Sequence, residues 1–594
     1  MYSLKRSVWL VGGSLALLAC SHPHVESTPP SPAGGKTGEQ VVDVVAPLAA
    51  AEVPGKPYSP PPLPAPAQKL AELQTTGGPR VERLKAMGSG RMISMAAQSA
   101  LSHDAYRPQP QLANTEKYQH LEQHAVKLVA EQPVSTFSID VDTGAYANVR
   151  RFLNEGRLPP ADAVRVEELI NYFPYQYALP QSRVDGQLVP FGVTTEIAQT
   201  PWNPNAYLLR IGIKASNVDK AVLPPANLVF LVDVSGSMDM PNKLPLLKSG
   251  LKLLVDQLRP QDKVSLVTYS GGTRIVLEPT AGSEKARISA AIDQLNPGGS
   301  TAGAAGIQLA YQMAQQGYIK QGINRILLAT DGDFNVGISN FEQLKSLVEE
   351  KRKSGVSLSS LGFGTGNYND QLLEQIADAG DGNYSYIDNL NEAQKVLVDE
   401  MSSTLAVVAK DVKIQLEFNP AVVAEYRQIG FENRALKRED FSNDKVDAGE
   451  IGAGHTMTAL YEITLVGGKG YLEPLRYAKP KAATGGKADE LALLRLRYKA
   501  PGSDSSKLLE WPLPKRDIKS AGAASDDLRF AAAVAAFGQQ LKGGKYLGQF
   551  GYDEIHKLAA GARGDDRFGY RGEFLRLVNL AKSLSTKAPA AATE

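Results

Sequence analysis

One cysteine, three tryptophans and seven histidines are all that 594 residues hold of those side chains. A single cysteine excludes an intrachain disulfide and any cysteine-rich metal site. A net charge of +1, with no basic stripe, speaks against nucleic acid as a partner. The longest apolar run near the start, 8–19, spans about twelve residues and is too short to cross a bilayer as a helix. No HExxH, no P-loop and no glycine-rich dinucleotide fingerprint is present, and no Ser-His-Asp context stands out. Gly467-Gly468-Lys469 lacks the spacing and the hydroxyl of a phosphate loop and reads as a turn between strands. His120 and His124 have helical i, i+4 spacing but no third ligand, so solvated surface is their simpler role; His455 falls in a strand and His556 in a helix. The chain reads as no enzyme.

Its length is too great for one core and implies two to four domains. Lys5 and Arg6, then the apolar stretch, then Leu17-Leu18-Ala19-Cys20 form a secretory signal peptide over 1–19. The last four residues resemble the bacterial lipoprotein box. That resemblance implies cleavage before Cys20, a diacylglycerol on its thiol and a second acylation, which together anchor stably where one chain is marginal. Ser21 in place of Asp implies the outer membrane. Residues 20–115 are then a lipidated cysteine and a Pro/Ala-rich disordered tether, with Pro60-Pro61-Pro62-Leu63-Pro64-Ala65-Pro66 in it. Such a tether has an r.m.s. reach of about 50 Å.

Folded sequence begins near Tyr118. Residues 118–184 read as a small α+β segment, with a strand at 137–142 and helices at 146–155 and 165–173. Within 185–223, Leu209, Ile211 and Ile213 alternate with Arg210, Gly212 and Lys214. This is the mark of a half-buried antiparallel strand, one that packs with a later β domain. Residues 224–408 alternate strands (228–232, 264–269, 274–277, 326–329, 357–362, 384–387) with helices (244–258, 284–295, 304–316, 341–354, 371–379, 392–405). That order predicts an α/β, doubly wound, Rossmann-like sheet. From Asp411 the period becomes two, so 409–515 reads as β-sandwich-like; strands on both sides imply that the α/β unit is inserted into, or flanked by, one β domain. Ser525 offers an N-cap to the first helix of a C-terminal helical segment, 524–585.

The chemistry concentrates at three loops of the α/β unit. Asp233-Val234-Ser235-Gly236-Ser237 follows the apolar run 228–232, Asp331-Gly332 follows 325–330, and Gly298-Gly299-Ser300-Thr301 runs into the third helix. Open α/β sheets place ligands at the carboxyl ends of their strands. Hard oxygen donors on tight turns suit Mg²⁺, with Mn²⁺ or Ca²⁺ as alternatives. The trio resembles the metal-ion-dependent adhesion site of von Willebrand factor type A domains. By that resemblance Ser235, Ser237 and Thr301 contact the metal directly, Asp233 and Asp331 act through bound waters, and a partner's Asp or Glu carboxylate takes the open position. All five side chains are expected on loops outside the core, where substitution spares the fold. Asp331-x-Asp333-x-Asn335 with Glu342 at the twelfth place imitates an EF-hand loop, but Val336 stands where the sharp turn needs Gly. Asp140-x-Asp142-x-Gly144 reads as a polar turn before a helix.

Longer segments carry a second resemblance. Phe137-Ser138-Ile139-Asp140-Val141-Asp142-Thr143, Val166-Glu167-Glu168-Leu169-Ile170-Asn171-Tyr172-Phe173, Gly362-Phe363-Gly364-Thr365-Gly366-Asn367-Tyr368-Asn369-Asp370 and Phe568-Gly569-Tyr570-Arg571-Gly572-Glu573-Phe574 look like the bacterial YfbK-type lipoproteins. These have a von Willebrand A domain between a family-specific N-terminal segment and a C-terminal domain. The reading is a lipid-anchored, metal-dependent protein-binding module. Its rivals are an envelope scaffold whose metal only stiffens a loop, and a metal-assisted hydrolase with no nameable base.

Overall fold

The structure is a computed structural model, and it describes residues 115–184, 186–299, 303–332, 341–473, 487 and 489–586. The signal, lipidation and tether assignments up to residue 114, Cys20 among them, lie outside the described residues, as do Thr301, Asp333, Asn335 and Val336. Among the described residues no helix is long and apolar enough to cross a membrane.

Along the chain come β1 (Val134–Ser138), α1 (Gly144–Asn154), α2 (Val166–Asn171), β2 (Phe191–Gln199) and β3 (Tyr207–Ala215). The α/β unit follows with β4 (Ala226–Asp233), α3 (Leu244–Gln257), β5 (Lys263–Tyr269), β6 (Thr273–Ala281), α4 (Lys285–Asp293), α5 (Gly303–Gln316), β7 (Ile323–Thr330), α6 (Phe341–Arg352), β8 (Ser357–Phe363), α7 (Asp370–Ala379) and β9 (Tyr384–Ile387). Then come β10 (Val407–Phe418), β11 (Val423–Ile429), β12 (Thr456–Leu465), β13 (Glu490–Lys499), β14 (Ser506–Pro514), α8 (Asp526–Leu541), α9 (Tyr552–Ala560) and α10 (Tyr570–Ser585).

The α/β sheet has the order β9-β8-β7-β4-β5-β6. Its pairs are parallel except β5 with β6, an antiparallel edge that extends the short strand expected at 274–277 to nine residues. The chain leaves β4 toward β5 on one side and returns to β7 on the other, so the topology switches between β4 and β7. Both faces are covered, which is why β4 is apolar without alternation: Leu228, Phe230 and Val232 pack on α3, while Val229 and Leu231 pack on α5. The single helix expected at 392–405 is broken into Leu390–Gln394, a π-helical turn Lys395–Asp399 and Met401–Leu405. Lys395 lies in that wider turn, with its ammonium 2.8 Å from Glu400 and 4.4 Å from the centroid of the Tyr172 ring.

Two antiparallel sheets face each other across one apolar core. One contains β11-β12-β3-β2, and the other β10-β13-β14 with β1 added on β10. Leu209, Ile211 and Ile213 meet Ile414, Leu416, Leu494 and Leu496 in that core. Strands from both sides of the α/β unit thus complete one sandwich, with the unit inserted between β3 and β10.

The half-buried strand expected at 209–214 is in fact buried on both faces. Its outer face lies under a helical layer that joins α1 and α2 to α8, α9 and α10 around Phe173, Phe530, Phe537 and Phe574. Leu208, Ile429 and Leu460 reach into this second core from the sheet. Polar residues on that face are paired because they are buried: Arg210 with Glu196 at 2.9 Å and Arg427 with Glu462 at 2.7 Å. The segments 118–184 and 524–585, which read as separate from sequence, therefore share one layer. Ser525 caps α8 as expected, its side chain accepting from the N–H of Leu528 at 3.2 Å.

Candidate metal centre

β4 ends at Asp233 and β7 runs directly into Asp331, so the topology switch sets two carboxylates side by side. Asp233 turns its own loop: Oδ1 accepts from the N–H of Ser235 at 2.8 Å, and Oδ2 accepts from Thr330 Oγ1 at 2.8 Å. Ser235 Oγ and Ser237 Oγ lie 3.0 Å apart. The short 3₁₀ turn Gly236–Met238 plants Met238 in the core beneath them.

The second loop is tied to the first by backbone. Gly236 N–H donates to Gly299 O at 3.0 Å, and Gly298 N–H donates to Val234 O at 2.7 Å. Gly299 has φ +86°, and a Cβ on it would sit 3.0 Å from Gly271 N, so glycine is required there. Thr301 follows this tied loop but lies outside the described residues.

Asp233 and Asp331 are 0% exposed and Ser235 is 2% exposed. Asp233, Asp331 and Ser235 thus do not lie on loops outside the core, contrary to expectation: the strand ends withdraw both carboxylates from water. Burial first, and then the charge of Asp331, push the Asp233 carboxyl up to about 6. Two adjacent buried carboxylates and a pair of hydroxyls are hard oxygen donors in need of positive charge, so the residues present fit a divalent cation of the Mg²⁺ class. Among the described residues no group of three or more His, Cys, Asp or Glu side chains is arranged to hold a metal by itself.

Three contributors escaped the sequence reading. Thr330, a hydroxyl beside Asp331, reads from sequence only as the end of a buried strand. Asn367 lies in the quoted segment 362–370, and its Nδ2 donates to Asp331 Oδ2 at 3.0 Å. Lys243 donates to Asp331 Oδ2 at 2.9 Å and to Asn367 Oδ1 at 2.7 Å. Nothing in its sequence context distinguishes it from a solvated lysine. The other candidates have separate roles. His120 is exposed and bonds Asp162 at 2.9 Å. His124 is partly buried, contrary to a solvated reading, and its ring pKa is held down by burial. His455 lies in the turn before β12 and His556 in α9. Asp142 N–H donates to Asp140 Oδ1 at 3.0 Å, the polar turn expected before α1.

The family model of the von Willebrand factor type A domain matches residues 227–399. A model described as von Willebrand factor matches 112–210, and one described as Uncharacterized protein YfbK, C-terminal, matches 403–584. Uncharacterized protein YfbK of Escherichia coli (strain K12) is 53% identical over 474 residues, 79% of this chain and 82% of that one. The chain belongs to the YfbK family. Another relative, Uncharacterized protein sll0103 of Synechocystis sp., is 28% identical over 310 residues, covering 52% of this chain and 69% of its own. Among solved structures, a von Willebrand factor type A protein from Catenulispora acidiphila is 16% identical with a TM-score of 0.38, covering 66% of this chain and 89% of its own. The family thus carries a von Willebrand A domain, a type that often mediates protein–protein interaction.

Proposed function

We propose that this chain is a lipid-anchored module that binds a protein partner through a divalent cation, Mg²⁺ foremost, at a metal-ion-dependent adhesion site. Asp233, Ser235, Ser237, Thr301 and Asp331 hold the cation, and a partner's Asp or Glu carboxylate completes its coordination. The supporting observation is the pair of fully buried carboxylates at the topology switch, beside two hydroxyls 3.0 Å apart. Buried acids without enough positive charge are costly, and a divalent ion relieves that cost. Ser235→Ala with Ser237→Ala should weaken Mg²⁺ binding by at least about tenfold in calorimetry, since two neutral ligands are lost without a change of charge. Capture of the partner from envelope extract should be lost both in chelator and in this double variant. A wild-type chain that binds neither Mg²⁺ nor Mn²⁺ would overturn the reading.

The anchor is the second part of the proposal. Leu17-Leu18-Ala19-Cys20, with Ser21 after it, supports a diacylated and N-acylated Cys20 at the outer membrane. Cys20→Ser should leave an unprocessed or soluble form. Mass spectrometry that finds an unmodified Cys20 in the mature native protein would sink this part.

A further inference from the structure

Lys243 places a fixed positive charge inside a site whose other groups suit a metal ion. Its ammonium is buried, with the residue 2% exposed, and it donates to Asp331 Oδ2 and to Asn367 Oδ1. Asn367 Nδ2 donates to the same Oδ2, so that oxygen already receives two N–H donors. Lys243 is held at this position by its backbone and by the packing of its stem. Its backbone is pinned just before α3, where its N–H donates to Met240 O at 2.9 Å and its carbonyl accepts from Leu247 at 2.9 Å. Its aliphatic stem runs against Gly364, which has φ +81°; a Cβ there would overlap the lysine's Cε, Cγ and Cδ. Glycine at 364 leaves the lysine room, and the lysine stem closes that side of the site.

Asp233 and Asp331 ionised beside Lys243 make the site −1; a divalent ion makes it +1. Without the lysine the same states would be −2 and 0. Like charges a few ångströms apart in a poorly solvated site repel strongly, so the lysine must weaken cation binding. Resting on the metal reading above, we infer that Lys243 is a built-in counter-cation that sets the affinity of this site for its divalent ion. It keeps Asp331 Oδ2 off the metal, so that this carboxylate serves through its other oxygen or through water. It also leaves the loaded site with net positive charge, the state that attracts an anionic partner oxygen.

The test is Mg²⁺ and Mn²⁺ calorimetry on the full chain, for wild type, Lys243→Met and Lys243→Gln, with thermal melts in Mg²⁺ and in chelator. The neutral variants should bind the metal at least about tenfold more tightly than wild type. A lysine that merely held Asp331 in place would give the opposite sign, weaker binding. Wild-type binding with equal or weaker binding in the variants overturns this inference and leaves the metal reading standing. No binding in wild type or variants overturns the metal reading itself, and this inference with it. Lys243→Gln keeps an N–H donor for Asp331. Should either variant unfold in chelator, refolding in Mg²⁺ supports the inference and failure to refold overturns it.

Discussion

Arg165→Met is expected to lower the unfolding free energy by about 3–5 kcal/mol, the usual cost of removing one partner from a buried ion pair. The guanidinium precedes α2 and is 3% exposed. Its Nε donates to Glu168 Oε1. Its Nη1 and Nη2 donate to Asp370 Oδ2 and Oδ1 at 2.5 and 3.2 Å, and Glu374 lies at 3.4 Å. Asp370 and Glu374 stand on α7 of the inserted α/β unit, so one side chain joins that unit to the helical layer. Methionine fills similar volume but leaves three buried carboxylates with less positive charge. Arg434, from the turn after β11, holds Asp140, Asp142 and Glu374 at 3.2, 3.4 and 3.6 Å and offers no replacement for Arg165. Urea unfolding of wild type and variant measures the loss; unchanged midpoints would show that the contact carries no stability.

Glu167→Gln should do the reverse and stabilise the fold by about 3 kcal/mol at pH 7. Glu167 is 0% exposed, and among the described residues neither of its carboxyl oxygens has a partner beyond its own backbone N–H. Burial first, then the charges of Glu432, Glu168 and Asp140, push its pKa from 4.5 up to about 8. Gly430 (φ +78°) packs against it so closely that a Cβ there would lie 2.7 Å from Glu167 Oε2. The folded pKa lies above the unfolded one, so at pH 7 the native state keeps a proton that the unfolded chain has released. The acid's contribution is fully present below about 4.5 and is lost as pH rises toward about 8. The gain from Gln should therefore be small at pH 5 and large at pH 7.5 in paired urea titrations. Equal gains at the two pH values would show that Glu167 does not titrate across this window.

The same carboxylates explain why the quoted family segments contain so many acids. Glu167 and Glu168 begin α2, Asp140 and Asp142 precede α1, and Asp370 begins α7; together they form one buried polar seam. Segment 362–370 serves two places at once, since Asn367 reaches Asp331 while Asp370 reaches Arg165. Read as a motif, it carried only a resemblance. Read in space, it lines one edge of the candidate metal centre and ends in the seam.

Periodicity determined much of this molecule without help from tertiary structure. Unbroken apolar runs marked β4 and β7 as strands buried on both faces, and the acids at their carboxyl ends marked the site. Period-two alternation marked β3, β10, β12 and β13, because one face of each must enter the sandwich core. Tertiary structure alone decided what covers the other face. The polar side of β3 looked solvent-facing, since Arg210 and Lys214 read alike whether they meet water or buried partners. It is covered because α2 and α8, some 350 residues apart in sequence, come together above that sheet. The site followed the same division. Asp233, Ser235, Ser237 and Asp331 were visible because chain order ties them to strand ends, whereas Lys243 was not. Its meaning comes from a buried ammonium aimed at a carboxylate 88 residues away, and no local pattern encodes that approach.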